Sequence, residues 1–167
     1  MKDTIKHIEK ELADVGLTFL TKPILIGGRA MEYYDMRKSG DDIDLVITNE
    51  DYQSLAGMYP DSRKDLYGDL GVTIGKFEIW RSIAHLDYSF FSKEAVETDK
   101  VFVISIERLL WSRVCAMKVE KYRKDLDLLV EYYYKHYTNA DYHKEAAIHE
   151  KSYAKNGGSV FGGKYED

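Results

Sequence analysis

Apolar residues recur at helical spacing from the start of the chain: Ile5, Ile8, Leu12 and Val15 fall on one face, and Gly16 stands where a helix C-cap belongs. The pattern predicts an amphipathic helix over residues 3–15, suited to covering a sheet. Pro23 then opens a short apolar run, Ile24-Leu25-Ile26, which ends at Gly27-Gly28 and passes into the helix-favouring RAMEYYDM. This reads as strand, tight turn, helix. RKSGD at 37–41 is loop by composition, residues 43–48 form a β-branched strand, and Thr48 or Asn49 is an N-cap for a helix reaching about Tyr59. The polar, glycine-containing stretch 60–71 reads as a surface loop. Residues 72–74, 77–81, 86–91 and 100–104 read as strands. Ser105 is an N-cap for a long helical region whose apolar face is supplied by Leu109, Leu110, Val114 and Met117, then Leu126, Leu129 and Tyr133, as two helices broken near 121–124. A weak helical segment, 141–155, precedes a glycine-rich end. The expected organisation is a core over 1–104, a helical segment over 105–155 packed on it, and a flexible tail over 156–167.

A chain of 167 residues suffices for one domain with a hydrophobic core. Its formal charge of −5 gives no global nucleic-acid footprint, so any contact with nucleic acid has to be local, as the clustered Lys118, Lys121, Arg123 and Lys124 would allow. Cys115 is the only cysteine, which excludes an intrachain disulfide and a cysteine zinc site and fits a reducing compartment. The charged N-terminus lacks an apolar signal core, and no run approaches the roughly 20 apolar residues of a membrane span. A cytoplasmic protein without a membrane partner is the expectation. The fourteen tyrosines are scattered and read as packing residues.

Candidate chemistry concentrates in IGGRAMEYYDMRKSGDDIDLVIT, residues 26–48. Two consecutive glycines let backbone N–H groups point outward with no Cβ in the way, and such a turn before a helix can hold a phosphate. Asp42 and Asp44 flank Ile43 and project to one side of a strand while Ile43 enters the core; Asp41 faces the other way, as a turn or capping residue. Paired carboxylates repel until a proton or cation relieves them, and oxygen-only ligands favour Mg²⁺ or Mn²⁺ completed by water and phosphate. A third acid would come from a neighbouring strand. Asp87, an acid inside HLDYSFF, is the favoured residue, with Glu78 in KFEIW as its competitor. By contrast, residues 158–164 spell G-x-x-x-x-G-K, but Tyr165 stands where a P-loop needs Ser or Thr, and no strand precedes it.

ILIGGRA, followed after a helix and loop by DIDLVI and later by HLDY, resembles the signature of the nucleotidyltransferase superfamily, which includes DNA polymerase beta, antibiotic nucleotidyltransferases, and abortive-infection and minimal nucleotidyltransferase toxins. The likeness covers residues 20–92. More loosely, RLLWSRVCAMKVEKYRKDLDLL resembles the segment that follows the core in many small members, where a Lys and a K-D-x-x-D-like stretch recur. The resemblance implies an α/β (α+β) fold, a mixed β-sheet flanked by helices with a C-terminal helical segment. It implies a nucleoside triphosphate (NTP) against the glycine turn, its β- and γ-phosphates cradled by Gly27 and Gly28. Asp42 and Asp44 would hold two Mg²⁺ (or Mn²⁺), and Asp87 would bind the catalytic metal and help deprotonate an acceptor hydroxyl. In-line displacement at the α-phosphate needs metals on the attacking and leaving oxygens. Arg29 and Arg37 are the nearest cations for triphosphate charge, with Lys118 and Lys124 as later candidates. In one departure, Gly28 stands where many members carry a phosphate-contacting Ser, and it offers only its backbone N–H. The expected function is transfer of a nucleoside monophosphate to a hydroxyl of a small molecule, RNA or protein. Two other readings use the same residues: a catalytically silent domain that binds a nucleotide or partner protein, and an α/β interaction domain whose acids serve turns.

Overall fold

Ile5, Ile8 and Leu12 are buried on one face of α1 (Asp3–Asp14), and the chain leaves that helix through Gly16, at φ +68°. Val15 points out, and Leu17 is buried in its stead. The structure, a computed structural model, describes residues 3–137 together with 148, 151 and 155. The tail at 156–167 and its P-loop-like letters lie outside the described residues. Of the segment 141–155 only Ile148, Lys151 and Lys155 are described, each helical.

The elements that follow α1 are β1 (Ile24–Leu25), α2 (Gly27–Tyr33), β2 (Ile43–Val46), α3 (Asn49–Met58), a 3-10 turn (Pro60–Ser62), β3 (Arg63–Leu66), β4 (Asp69–Ile74), β5 (Phe77–Trp80), β6 (Ser82–Ile83), β7 (Leu86–Asp87), α4 (Tyr88–Phe91), β8 (Val96–Glu97), β9 (Phe102–Val103), α5 (Ile106–Cys115) and α6 (Glu120–Tyr137). Seven strands form one mixed sheet in the order β3-β4-β5-β2-β1-β9-β8, while β6 and β7 pair apart from it. At its centre β2 runs parallel to β5 and antiparallel to β1, and β1 runs parallel to β9. Helices flank this sheet: α2 packs on β2, α1 on α2 and α3 on β4. The architecture is therefore the mixed sheet flanked by helices that the sequence implied. Its core joins Ile24, Leu25, Ile43, Leu45, Phe77 and Ile79 from the strands to Ile5 and Ile8 of α1 and Met31 of α2. Such near-continuous apolar strands belong to a sheet covered on both faces.

Two helix starts are where their capping chemistry puts them. The Thr48 hydroxyl accepts the Asp51 N–H at the head of α3, and the Ser105 hydroxyl accepts the Arg108 N–H at the head of α5. Three expectations are corrected. Residues 60–71 are not loop: they hold β3 and the start of β4, an edge hairpin in which three of the four β3 side chains, Arg63, Lys64 and Asp65, are charged and the strand is largely exposed. Charged edge strands resist further pairing, and the same charges hide them from hydrophobic patterning. Residues 86–91 are not one strand, because Asp87 accepts the N–H groups of Ser89 and Phe90 and starts α4 after a two-residue β7. The break between the last two helices falls at 116–119, so 121–124 lie inside α6.

The chain divides into two compact units, Met1–Leu129 and Val130–Asp167. In the second, the Tyr132 and His136 rings, one helical turn apart, stand 4.2 Å between centroids. Among the described residues, no helix is long and apolar enough to cross a membrane.

Candidate functional site

The strand–turn–helix at the end of β1 is tied directly to the acidic strand beside it. Ile26, in extended conformation, donates its N–H to the Asp44 carbonyl at 3.0 Å, and Gly27, at φ +65°, swings the chain into α2. A β-carbon built on Gly27 would fall on the Asp44 carboxylate, 2.9 Å from its Cγ, so this carboxylate occupies the space that glycine leaves open. Only glycine combines that backbone angle with that close approach. No side chain caps the head of α2.

Asp44 is half-buried on β2 and lies in parallel register with Glu78 of β5. Register partners share a face, so Glu78 rather than Asp87 is the acid beside Asp44. Asp42 is exposed just before β2. Burial pushes the Asp44 carboxyl above its ordinary range and Glu78 adds to the rise, as Asp42 does more weakly; Arg113 and Lys121 oppose it. Asp87 stands elsewhere. It is exposed at the head of α4, and the Ser89 hydroxyl, donating at 2.6 Å, holds its carboxyl below the usual range. It caps a helix and is not gathered with Asp42 and Asp44.

The raised Asp44 carboxyl has a consequence for stability. The folded chain holds a proton on Asp44 to higher pH than the unfolded chain, so stability falls as pH rises from the ordinary aspartate value of 3.8 through the raised one. Asp44→Asn removes the charge that causes this loss. The variant is expected to melt at a higher temperature than wild type at neutral pH, with the gap closing in acid, in parallel thermal scans. A gap that persists unchanged at low pH would mean that packing, not charge, separates the two.

Opposite the glycine turn, a cleft of about 140 Å³ brings Gly27, Gly28 and Asp44 together with Arg37, Arg113, Lys121 and Tyr122. Arg37 borders the turn, its Nη1 3.7 Å from where a Gly28 β-carbon would stand. It is also clamped: Nε and Nη2 donate to the two oxygens of Asp125 at 2.5 and 2.9 Å, a bidentate pair. Asp125, with its side chain only 3% exposed, also lies 3.2 Å from the Arg113 Nε, outside hydrogen-bond geometry. Arg113 stacks over the Tyr122 ring at 4.6 Å.

Arg29 is spent within its own helix on Glu32, at 3.1 Å, and its buried Nε has no hydrogen-bond partner among the described residues. Lys118 is exposed in the turn between α5 and α6 and does not line the cleft; Lys124 pairs with Glu120 on the surface. The lysine at the cleft is Lys121. Sequence reading left out Arg113 and Asp125 as site residues. A signal existed, since Ile106, Leu109 and Arg113 share a helical face, as do Asp125 and Leu129, which puts a cation and an acid on otherwise buried stripes.

Among the described residues, no group of three His, Cys, Asp or Glu side chains stands ready to hold a metal ion by itself. The donors nonetheless suit Mg²⁺, which is commonly held by one or two carboxylates and completes its shell with water and substrate phosphate. Asp44, Asp42 and Glu78 offer oxygen alone; Glu78 already pairs with the Lys64 ammonium at 3.1 Å, and the repulsion of Asp44 by Glu78 and Asp42, opposed by Arg113 and Lys121, is of the kind a bound cation relieves further. Comparison with family models, with curated proteins and with solved structures finds no match for this chain.

Proposed function

We propose that the chain is a metal-dependent nucleotidyltransferase, which moves a nucleoside monophosphate from a nucleoside triphosphate to a hydroxyl of a small-molecule, RNA or protein acceptor. One observation carries the reading: the Asp44 carboxylate lies against the Gly27-Gly28 turn and beside Glu78, facing Arg113 and Lys121. Phosphate chemistry needs these partners in one place. The backbone N–H groups of the turn would receive phosphate oxygens, and Lys121, with Arg37 and Arg113 behind it, would offset their charge. Asp42 and Asp44 would hold Mg²⁺ or Mn²⁺, which when bound supplies charge neutralisation at the attacking and leaving oxygens. The acceptor oxygen bonds to the α-phosphorus, the bond to the bridging oxygen breaks and pyrophosphate leaves. Glu78, in the place first offered to Asp87, would take the hydroxyl proton.

A second reading, a silent domain that binds a nucleotide or a partner protein without turnover, draws on Arg37 being already engaged by Asp125. Thermal melting separates the readings from one in which the acids merely serve turns. With Mg²⁺ and a triphosphate at about 100 times its dissociation constant, wild type should gain about 2.7 kcal/mol, a shift of several degrees. Asp44→Ala should lose the magnesium-dependent part. A wild type that does not respond would sink both nucleotide readings, and a response without turnover would favour the silent domain.

A further inference from the structure

At the carboxyl ends of the parallel strands β2 and β5 the chain leaves the sheet twice, into α3 through Thr48 and Asn49, and into the β6–β7 hairpin through Arg81. Connections that diverge from neighbouring parallel strands open a crevice there. This one has a volume of about 520 Å³, against about 140 Å³ for the Asp44 cleft. Ile47, on its wall, is about 10 Å along the strand from Asp44 at the usual rise per residue.

Thr48, Asn49, Arg81, His85, Asp87 and Ser89 line the crevice. Several of their polar groups are already satisfied. The Thr48 hydroxyl is shared with Asp51, and Asp87 Oδ1 accepts the Ser89 hydroxyl and the N–H groups of Ser89 and Phe90. Arg81 and Asn49 differ: among the described residues, neither side chain has a hydrogen bond or ion pair. His85 is fixed at the rim by its backbone. It and Ala84 both sit in the left-handed region, at φ +61° and +51°, a conformation that persists in non-glycine residues only where the surroundings enforce it. Asp69 enforces it here, accepting the N–H groups of Ala84 and His85 at 2.6 and 2.9 Å and the Ser82 hydroxyl at 2.8 Å. The imidazole then lies over Gly68, where a β-carbon would stand 3.0 Å from its Cε1.

We propose that this crevice binds the phosphate group of a phosphomonoester, with Arg81, Asn49 and His85 as its donors. Arg81 and His85, from the β5–β7 connection, and Asn49, at the head of α3, supply N–H donors, and beside them the Asp87 Oδ2 is, among the described residues, an open acceptor for the P–OH of a singly ionised phosphate. That arrangement suits the several oxygens of a tetrahedral phosphate better than a planar carboxylate, which a single guanidinium fork satisfies.

Titration of the full chain with inorganic phosphate, followed through the amide resonances of Asn49, Arg81 and Ser89, tests the assignment. Arg81→Gln should weaken binding by about tenfold or more, the loss expected of a charge-assisted bond. His85→Asn should weaken it too while keeping the hairpin, because Asn tolerates the left-handed backbone. Lys121→Gln, in the other cleft, should leave it unchanged, and acetate should bind more weakly than phosphate. Absence of phosphate binding in wild type, equal affinity in a folded Arg81→Gln, or a loss confined to Lys121→Gln would overturn the site. Acetate binding as tightly as phosphate would overturn its assignment to phosphate.

Discussion

Gly27→Ala is expected to destabilise the protein by about 2–5 kcal/mol, the sum of holding a non-glycine residue at positive φ and of forcing a methyl into a filled space. The two costs can be separated. The backbone cost comes from φ +65°, and the steric one from the Asp44 carboxylate that a β-carbon would overlap. In the Asp44→Ala background the carboxylate is gone, and the nearest remaining atom, the residue-44 Cβ, lies 3.1 Å from the added carbon, tight but close to relaxable. Gly27→Ala should then cost only about 1–2 kcal/mol, and the double-mutant cycle should show a coupling of about 1–3 kcal/mol. Urea denaturation of the four proteins measures it. Additive effects would mean that Asp44 is not held against the turn, which would take away the contact on which the site depends.

Asp125→Ala is expected to cost about 3–5 kcal/mol, because it leaves Arg37 and Arg113 without the carboxylate that both approach. Arg113 is the more exposed to that loss in energetic terms, since its side chain is only 10% accessible and burial already disfavours its charge. Arg37→Ala should cost less, as it leaves Asp125 beside Arg113. Chemical denaturation of the two variants sets the order, and a loss below about 1 kcal/mol in Asp125→Ala would show that water readily replaces the carboxylate. The same pair bears on the cleft. Removing Asp125 frees Arg37 beside Gly28, so Asp125→Ala can be less stable yet hold a triphosphate at least as tightly as wild type.

What the sequence revealed followed from local chemistry. Thr48 and Ser105 announce helix starts because a hydroxyl at that position meets a free N–H. The glycine pair before a helix, and Asp42 and Asp44 around a buried Ile43, are patterns of one strand and one turn. The third acid depends on something else. Asp87 and Glu78 both lie in runs that pattern as strand, and only the pairing of β2 with β5 places Glu78 opposite Asp44. Register between strands more than thirty positions apart in sequence is a tertiary fact. In HLDYSFF the apolar run looked like strand, yet Asp87 and Ser89 carry capping chemistry that turns the chain into α4. The Arg37–Asp125 clamp spans 88 positions and was legible only as an acid on a buried helical stripe.

In the proposed reaction the acids beside the Gly27-Gly28 turn transfer the nucleoside monophosphate portion of a triphosphate. The most direct test is incubation of the purified protein, Mg²⁺ and cell extract with each triphosphate, labelled either at the α- or at the γ-phosphate. Label should appear on an acceptor from the α-position only, with pyrophosphate release, and labelling should be lost in Asp42→Ala, Asp44→Asn and Glu78→Gln but not in Asp87→Asn. Labelling from the γ-position, labelling that survives Asp44→Asn, or no transfer from any triphosphate would contradict it.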